Sequence, residues 1–371
     1  MQSEQNTILR YALVGAGAGV FNMHRSALGL ADMAVVAVAD INPELGQRRA
    51  NELHCPFYVD HQQLLAEIRP DVVVVMTPHP YHARIAIDCL EAGSHVLVEK
   101  PMAVQVAEAD AMLKAAEHAQ RLLGVIFQQR FRPEIRAARQ LLQSGQIGRI
   151  QHVTMSAVWT RTARYYQSAG WRGTWKGEGG GVLMNQAPHQ LDLLCHLVGQ
   201  PSRVFAWTRR FLHTIETEDT VEAALEWPDG ALGSLHISTA EADQSEYLKI
   251  VGTHGQLELQ SGRLSARGLE TDIADFVLTC PKAMASPASQ ELPIVLDQSP
   301  IGDHAAVYQA FNTAIRTNTP FTSGGAQGII ALELANACIY SSYTNSPVEL
   351  PLDRQKYATL LTELIDRQNP L

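Results

Sequence analysis

Basic residues are in short supply in this chain of 371 residues: 29 Lys and Arg stand against 38 Asp and Glu, for a formal charge of −9. So acidic a chain does not fit a general nucleic-acid binder or a protein held on anionic membranes; a local basic pocket for an anionic ligand stays open. Cysteine is sparse too. Cys55, Cys89, Cys195, Cys280 and Cys338 are odd in number, scattered, and form no Cys-x-x-Cys pair. That pattern argues against a disulfide framework or a thiolate metal centre and fits a reducing compartment. The apolar run Tyr11–Val14 is far shorter than the roughly 20 residues of a membrane span, and Met1–Asn6 is polar. No membrane partner is expected, and a cytoplasmic location is. Aromatic residues make up only 6% of the chain, so their crowding into one stretch, described below, stands out.

What is present suits an ordinary globular protein, with 46% apolar and 18% charged residues and length for two domains. The first third alternates strand-like and helix-like segments: strands at Ile8–Val14, Ala34–Ala39, Asp71–Met76, His95–Val98 and Leu122–Phe127. Helices fall between them, one opened by Asn42-Pro43 and running to Leu53, others at Tyr81–Ala92 and Gln105–Ala119. The four consecutive valines of the third strand mark a strand buried on both faces. This alternation predicts a parallel sheet with right-handed crossovers. After about residue 150 the pattern becomes strand-rich, with candidates at Ile150–Thr160, Arg203–Phe211, Val221–Trp227, Leu232–Thr239, Tyr247–Val251 and Gln256–Gln260. A helix over Asn185–Leu197 interrupts them, Gly262 to about Pro300 shows no clear period, and helices at Asp303–Thr317, Ala326–Tyr343 and Arg354–Gln368 close the chain. The fold expected is α/β: a Rossmann domain over residues 1–127, then an α+β domain over 128–371 with a large, mostly antiparallel open sheet. The C-terminal helices are free to pack back on the first domain.

Gly15-Ala16-Gly17-Ala18-Gly19-Val20-Phe21 follows the first strand and opens a helix. This is the setting in which Gly15 makes a tight turn, Gly17 admits a pyrophosphate, and helix N–H groups receive it. The match to G-x-G-x-x-G is imperfect, because Val20 stands where the third glycine would fall and Gly19 comes one residue early. Asp40 ends the second strand, where a carboxylate accepts hydrogen bonds from the adenine ribose and repels a 2′-phosphate. NAD is therefore expected over NADP. A plain strand–helix turn and a strand-end cap are the alternatives. Arg48 and Arg49 read as solvated.

Two further stretches carry more. Thr77-Pro78-His79-Pro80-Tyr81-His82 follows the valine strand, and Glu99-Lys100-Pro101 ends the next one. Gly179-Gly180-Gly181 leads through Val182-Leu183-Met184 to Asn185-Gln186-Ala187-Pro188-His189-Gln190-Leu191-Asp192. With the glycine loop, these resemble the glucose–fructose oxidoreductase/inositol dehydrogenase/rhizopine catabolism (Gfo/Idh/MocA) family, convincingly from residue 8 to about 200 and beyond that at the level of fold. The resemblance implies an NAD-dependent oxidoreductase whose catalytic lysine is Lys100 and catalytic histidine His189. It also implies that the open sheet serves a homo-oligomer, a dimer or tetramer. Asn185 stands where many members carry aspartate, and an amide can hydrogen-bond a hydroxyl but cannot relay a proton. The cofactor contacts expected are Gly15, Gly17, Gly19, Val20, Phe21, Asp40, Thr77, Pro78, His79, His82, Glu99, Lys100 and Gln129. Loop polarity is the plain alternative for His79 and His82, a surface ion pair with Glu99 for Lys100, and a core hydrogen bond for His189.

A strand-end lysine beside an oxidised nicotinamide is near a positive charge and partly desolvated, and both favour its neutral form. Lys100 can then hydrogen-bond the reacting hydroxyl while neutral His189 accepts its proton. His189, Asp192 and His196 share one helix face, but no further ligand accompanies them, so no metal is expected. The stretch from Trp159 to Lys176 holds Trp159, Trp171 and Trp175, three of the five tryptophans, with Tyr165 and Tyr166 and with Arg161, Arg164 and Arg172 interleaved. Aromatic faces pack on the C–H faces of a pyranose, and guanidinium forks hold hydroxyls or a carboxylate. Trp159, Arg161, Tyr165, Trp171, Arg172, Asn185, His189 and Lys100 are thus the expected substrate contacts, for a sugar, glycoside or cyclitol. A subunit interface is the alternative for the aromatic stretch. Arg130 and Arg132 line a domain junction or are solvated. The main functional expectation is a dehydrogenase acting on a ring hydroxyl. A redox-neutral glycosidase or lyase that retains NAD, and a non-catalytic dinucleotide sensor, are the competing ones.

Overall fold

The computed structural model describes residues 8–242, 246–297 and 302–366. They divide into two compact units: the described residues of Met1–Gln128, Lys176–Gly179 and Pro300–Leu332 form one, and those of Gln129–Trp175, Gly180–Ser299 and Glu333–Leu371 the other.

The first unit begins with β1 (Leu9–Val14), α1 (Phe21–Leu28), β2 (Met33–Ala39), α2 (Pro43–Leu53), β3 (Phe57–Tyr58) and α3 (His61–Ile68). β4 (Val72–Val75), α4 (His82–Glu91), β5 (His95–Val98), α5 (Val106–Ala119) and β6 (Leu123–Val125) follow. Asn42 caps α2 by accepting the Leu45 N–H, with Pro43 at the first helical position. All four valines of β4 are fully buried, each contributing about 1.5–3 kcal/mol of burial. The sheet order is β3-β2-β1-β4-β5-β6, and every neighbouring pair is parallel. The order reverses between β1 and β4, so the loops after these two strands flank the crevice where such sheets take their ligands.

The second unit holds α6 (Pro133–Gln143), β7 (Ile150–Val158), α7 (Ala163–Gln167), α8 (Trp175–Glu178, which closes in the first unit), α9 (Val182–Asn185) and α10 (Pro188–Val198). β8 (Arg203–Arg209), β9 (Thr220–Glu226), β10 (Leu232–Ser238), β11 (Glu246–Gly252), β12 (Gly255–Gln260), β13 (Arg263–Leu269), α11 (Ile273–Thr279) and β14 (Ser289–Glu291) come next. α12 (His304–Thr317) belongs to the first unit; α13 (Gly325–Thr344), β15 (Val348–Glu349) and α14 (Arg354–Asp366) complete the described chain. The sheet runs β14-β13-β12-β11-β7-β10-β9-β8-β15. Its neighbours are antiparallel except β7 and β10, which pair in parallel from His152↔Leu232 to Val158↔Ser238. Burial alternates along β9 and β12, as a sheet covered on one face requires.

Three expectations need correction. The helix placed over Asn185–Leu197 is two helices, because Pro188 lacks the N–H that a continuous helix would use and instead starts α10. The segment from Gly262 is not patternless: it holds β13, α11 and β14, which bury too few side chains to show a period. A single cut near residue 128 is also too simple. The edge of β6 is covered by a returning segment, with a bridge from Gly124 to Gly324 and the Val125 N–H donating to Ser323 O at 2.9 Å, which shields an otherwise open strand. α12 packs on α1 in the same unit. The last helix is described to Asp366; Arg367 and Gln368 of its expected span lie outside the described residues.

Candidate active site

Within the first unit, the glycine loop closes onto the second strand. Gly15 has φ +86°, and a Cβ there would meet Thr77 Cγ2 and N at 2.8 Å, so only glycine lets the loop lie against the Thr77 turn. The Gly17 N–H donates to Asp40 Oδ2 at 2.6 Å, and the Asn42 N–H to Asp40 Oδ1 at 2.8 Å. A Cβ on Gly17 would lie 2.7 Å from Asp40 Oδ2. Gly19 is exposed and a Cβ there would meet nothing within 4 Å, so packing inside the protein does not demand a glycine. No side chain caps α1 behind Val20 and Phe21, which leaves its N-terminal dipole unopposed. Thr77 Oγ1 is buried with no hydrogen-bond partner among the described residues. An acidic strand end, a close-approach glycine turn and an orphaned hydroxyl at the switch between β1 and β4 fit a dinucleotide.

Not every residue expected at the cofactor reaches toward it. His82 is fully buried, with Nδ1 2.8 Å from Pro101 O and Nε2 2.7 Å from Thr77 O. It therefore ties the Thr77 turn to the chain after Lys100 instead of facing the crevice. Burial pulls its pKa below the ordinary histidine value, against the two carbonyls and Glu99. His79 is buried with Nδ1 3.3 Å from Glu178 O. Glu99 also turns inward, to His24 and His304; its Oε2 accepts the N–H of half-buried Lys100 at 3.2 Å. His24, His304 and Tyr308 were invisible to sequence reasoning, since single histidines on helices carry no motif. Gln129 belongs to the second unit, where it lines a cleft with Arg132, Gln190 and Glu246.

In the second unit, Gly181 of the glycine triplet is demanded by close approach. A Cβ on Gly181 would lie 1.9 Å from Glu218 O, and Glu218 Oε1 accepts the N–H groups of Gly181 and Leu183 at 2.9 and 3.1 Å. Glu218 thus sets the start of α9, whose last residue is Asn185. His189 is the second residue of α10 and half-buried. Gln186, between them, donates to Tyr165 Oη at 3.0 Å, and Arg172 donates to the same oxygen at 2.7 Å. The Arg172 guanidinium lies 4.5 Å from the Tyr165 ring centroid and 4.6 Å from that of Trp171, and Arg161 lies 5.4 Å from Tyr165. These are cation–π distances. Tyr165, Trp171, Arg172 and Arg161 are therefore one cluster, bonded to the segment carrying Asn185 and His189. Gln186 was missed as a site residue, although its place beside Asn185 was on view. Trp159 instead donates to Glu246 Oε1 at 3.1 Å, and Trp175 is buried against Tyr343.

Arg130 is not solvated. It is buried in the second unit and grips Asp192 through two bonds, Nε to Oδ2 at 2.8 Å and NH2 to Oδ1 at 2.5 Å. Arg139 lies 3.1 Å from His196 Nε2. Within the row His189, Asp192, His196, the last two thus face different arginines.

A family model described as an oxidoreductase family with an NAD-binding Rossmann fold matches residues 9–127, and the GFO/IDH/MocA C-terminal domain matches residues 135–258. The chain is 25% identical over 357 residues to D-glucoside 3-dehydrogenase of Escherichia coli, covering 92% of this chain and 97% of that one. It is 28% identical over 258 residues to trans-1,2-dihydrobenzene-1,2-diol dehydrogenase of Mus musculus, over 68% of this chain and 74% of that one. The WlbA dehydrogenase of Bordetella pertussis, solved with NADH and UDP-GlcNAcA, superposes with a TM-score of 0.82 at 28% identity, over 94% of this chain and 99% of that one. A Rossmann sheet with its glycine turn and strand-end acid, joined to an antiparallel sheet domain matched in its own right, makes this chain an NAD-binding oxidoreductase of the Gfo/Idh/MocA family.

Proposed function

We propose that this protein is a sugar dehydrogenase that oxidises a ring hydroxyl of a sugar, glycoside or cyclitol, or reduces the matching ketone, with NAD. The observation that carries the substrate class is the Tyr165–Trp171–Arg172 cluster, hydrogen-bonded through Gln186 to the segment of Asn185 and His189. Flat rings and a guanidinium on one surface suit a polyhydroxylated ring. The names of the relatives, D-glucoside 3-dehydrogenase among them, agree.

When bound, NAD supplies the hydride acceptor. Asp40 receives the adenine ribose hydroxyls, and the glycine turn and the α1 N-terminus receive the pyrophosphate. Lys100 hydrogen-bonds the reacting hydroxyl, and His189 takes its proton. Asn185 orients the hydroxyl but holds no charge. Five free cysteines suit a reducing, cytoplasmic setting, and none of the described helices is long and apolar enough to cross a membrane. Exposed Trp207 and Leu232 on the second sheet support pairing of that sheet in a homo-oligomer, which the solution mass measured by light scattering would test.

The deciding experiment incubates the protein and NAD with a panel of glycosides, free sugars and cyclitols, following both absorbance and product mass. NADH formed in step with a ketone product is expected. Cleavage or isomerisation without net NADH would replace this reading with the redox-neutral one, and binding without turnover with the sensor.

A further inference from the structure

The stretch that carries Tyr165, Trp171 and Arg172 is held at both ends by one other segment, the connection between β8 and β9. At its start, His213 Nε2 lies 2.8 Å from Arg161 O, and His213 Nδ1 lies 3.0 Å from Asp219 Oδ2. The ring thus bridges the chain at Arg161 to a carboxylate that solvent does not reach. Asp219 is itself fixed. Its oxygens accept the N–H groups of Phe211, Leu212 and His213 at 2.9, 3.1 and 3.1 Å, and the Thr220 hydroxyl at 3.0 Å. Burial pushes this carboxyl up, but the three backbone N–H groups and the His213 ring outweigh it and hold the group below the usual carboxylate range. The His213 ring also packs 4.7 Å from that of Tyr166, whose hydroxyl lies 2.9 Å from Thr239 Oγ1. Tyr166 in turn meets Tyr165 edge to face, with ring centroids 5.1 Å apart.

At the far end, Glu216 Oε2 accepts the Trp175 N–H at 3.0 Å, and the Glu216 N–H donates to Gly173 O at 2.8 Å. Ile215 fills the space beside Gly173, where φ is +67° and a Cβ would lie 2.7 Å from Ile215 Cγ2. Tyr165, Trp171 and Arg172 lie between these two anchors. The one helix near them, α7, has five residues, too few to hold a shape without help from its surroundings. Side chains fixed before a ligand arrives lose less freedom on binding it. We propose that the β8–β9 connection is a clasp that sets this stretch in its ring-receiving shape, with His213 and Glu216 as positioning residues acting through the backbone at 161 and at 173–175. The proposal rests on the reading of the Tyr165–Trp171–Arg172 surface as the sugar contact.

Two variants test it. His213→Phe keeps a ring against Tyr166 and removes both nitrogens; Glu216→Ala, at an exposed residue, keeps the test open should the first not fold. Each is compared with the wild type in the rate of tryptic cleavage after Arg161 and Arg164, followed by mass spectrometry, and in KM and kcat for methyl β-D-glucoside with NAD. Cleavage is expected to speed up about tenfold as the stretch opens locally. KM should rise by about the same factor, while kcat and NADH affinity stay. A role in folding alone would lower the melting temperature and leave KM unmoved. Unchanged cleavage in both variants would overturn the proposal, as would faster cleavage with an unmoved KM. No oxidation of the glycoside by the wild type would strike the sugar reading instead, and the cleavage rates would still decide the clasp.

Discussion

The backbone N–H of Gly17 and the side chain of Asp40 are joined by a hydrogen bond of 2.6 Å. The turn proposed to receive phosphate and the acid proposed to receive ribose are therefore one mechanical unit. Replacing Asp40 by alanine removes the ribose acceptor and loosens the turn together. Hydrogen bonds to a charged group are worth about 1.5–3 kcal/mol each, so NAD affinity should fall by roughly ten- to a hundredfold. NADP affinity should fall less, because a charge opposing its 2′-phosphate is gone. Titration of both cofactors checks this, and an unchanged ratio would remove Asp40 from ribose recognition.

Lys100→Met keeps the length of the side chain and removes its amine. Turnover should drop about 10²–10⁴-fold, with NAD binding retained in a fluorescence titration. A variant with normal turnover would take Lys100 out of the chemistry.

Arg130→Met leaves the buried Asp192 carboxylate without its guanidinium. Breaking such a pair costs about 3–5 kcal/mol, so the melting temperature should fall sharply. The loss should shrink toward acid pH, where Asp192 takes up a proton, and Arg130→Met combined with Asp192→Leu should recover most of it. A single variant as stable as the wild type would show that the pair contributes nothing.

His95 ties stability to pH. Burial, helped by Arg121, lowers its pKa from 6.5 to about 4, and its Nδ1 accepts the Leu122 N–H at 2.9 Å. The unfolded chain binds more protons here, so the contribution is whole above pH 6.5 and is lost as pH falls through about 4. Denaturant melts of wild type and His95→Gln across that window should converge as the pH drops. Parallel curves would assign the acid sensitivity to another group.

How far the sequence discloses all this depends on the span of the interaction. The valines of β4, the Asn42-Pro43 helix start and the placing of Asp40 beside the glycine turn are local or follow from strand order, so they were legible. The inward turn of Glu99 was not: its partners His24 and His304 lie 75 and 205 residues away, and no periodicity links them. Arg130 and Asp192 likewise meet across 62 residues. The Asn185–Leu197 helix was misjudged because its apolar spacing continues through Pro188, where the backbone cannot.

The parallel pairing of β7 with β10 has a consequence for the chain that joins them. Two side-by-side strands running the same way cannot be joined by a tight hairpin, and here the excursion from residue 159 to 231 makes the connection. Its first part carries the Tyr165, Trp171 and Arg172 surface, while the strands at both ends are locked in register. The stretch 159–175 thus displays its aromatic and guanidinium side chains from a connection that Trp159 and Tyr166 pin to the sheet domain, through Glu246 and Thr239.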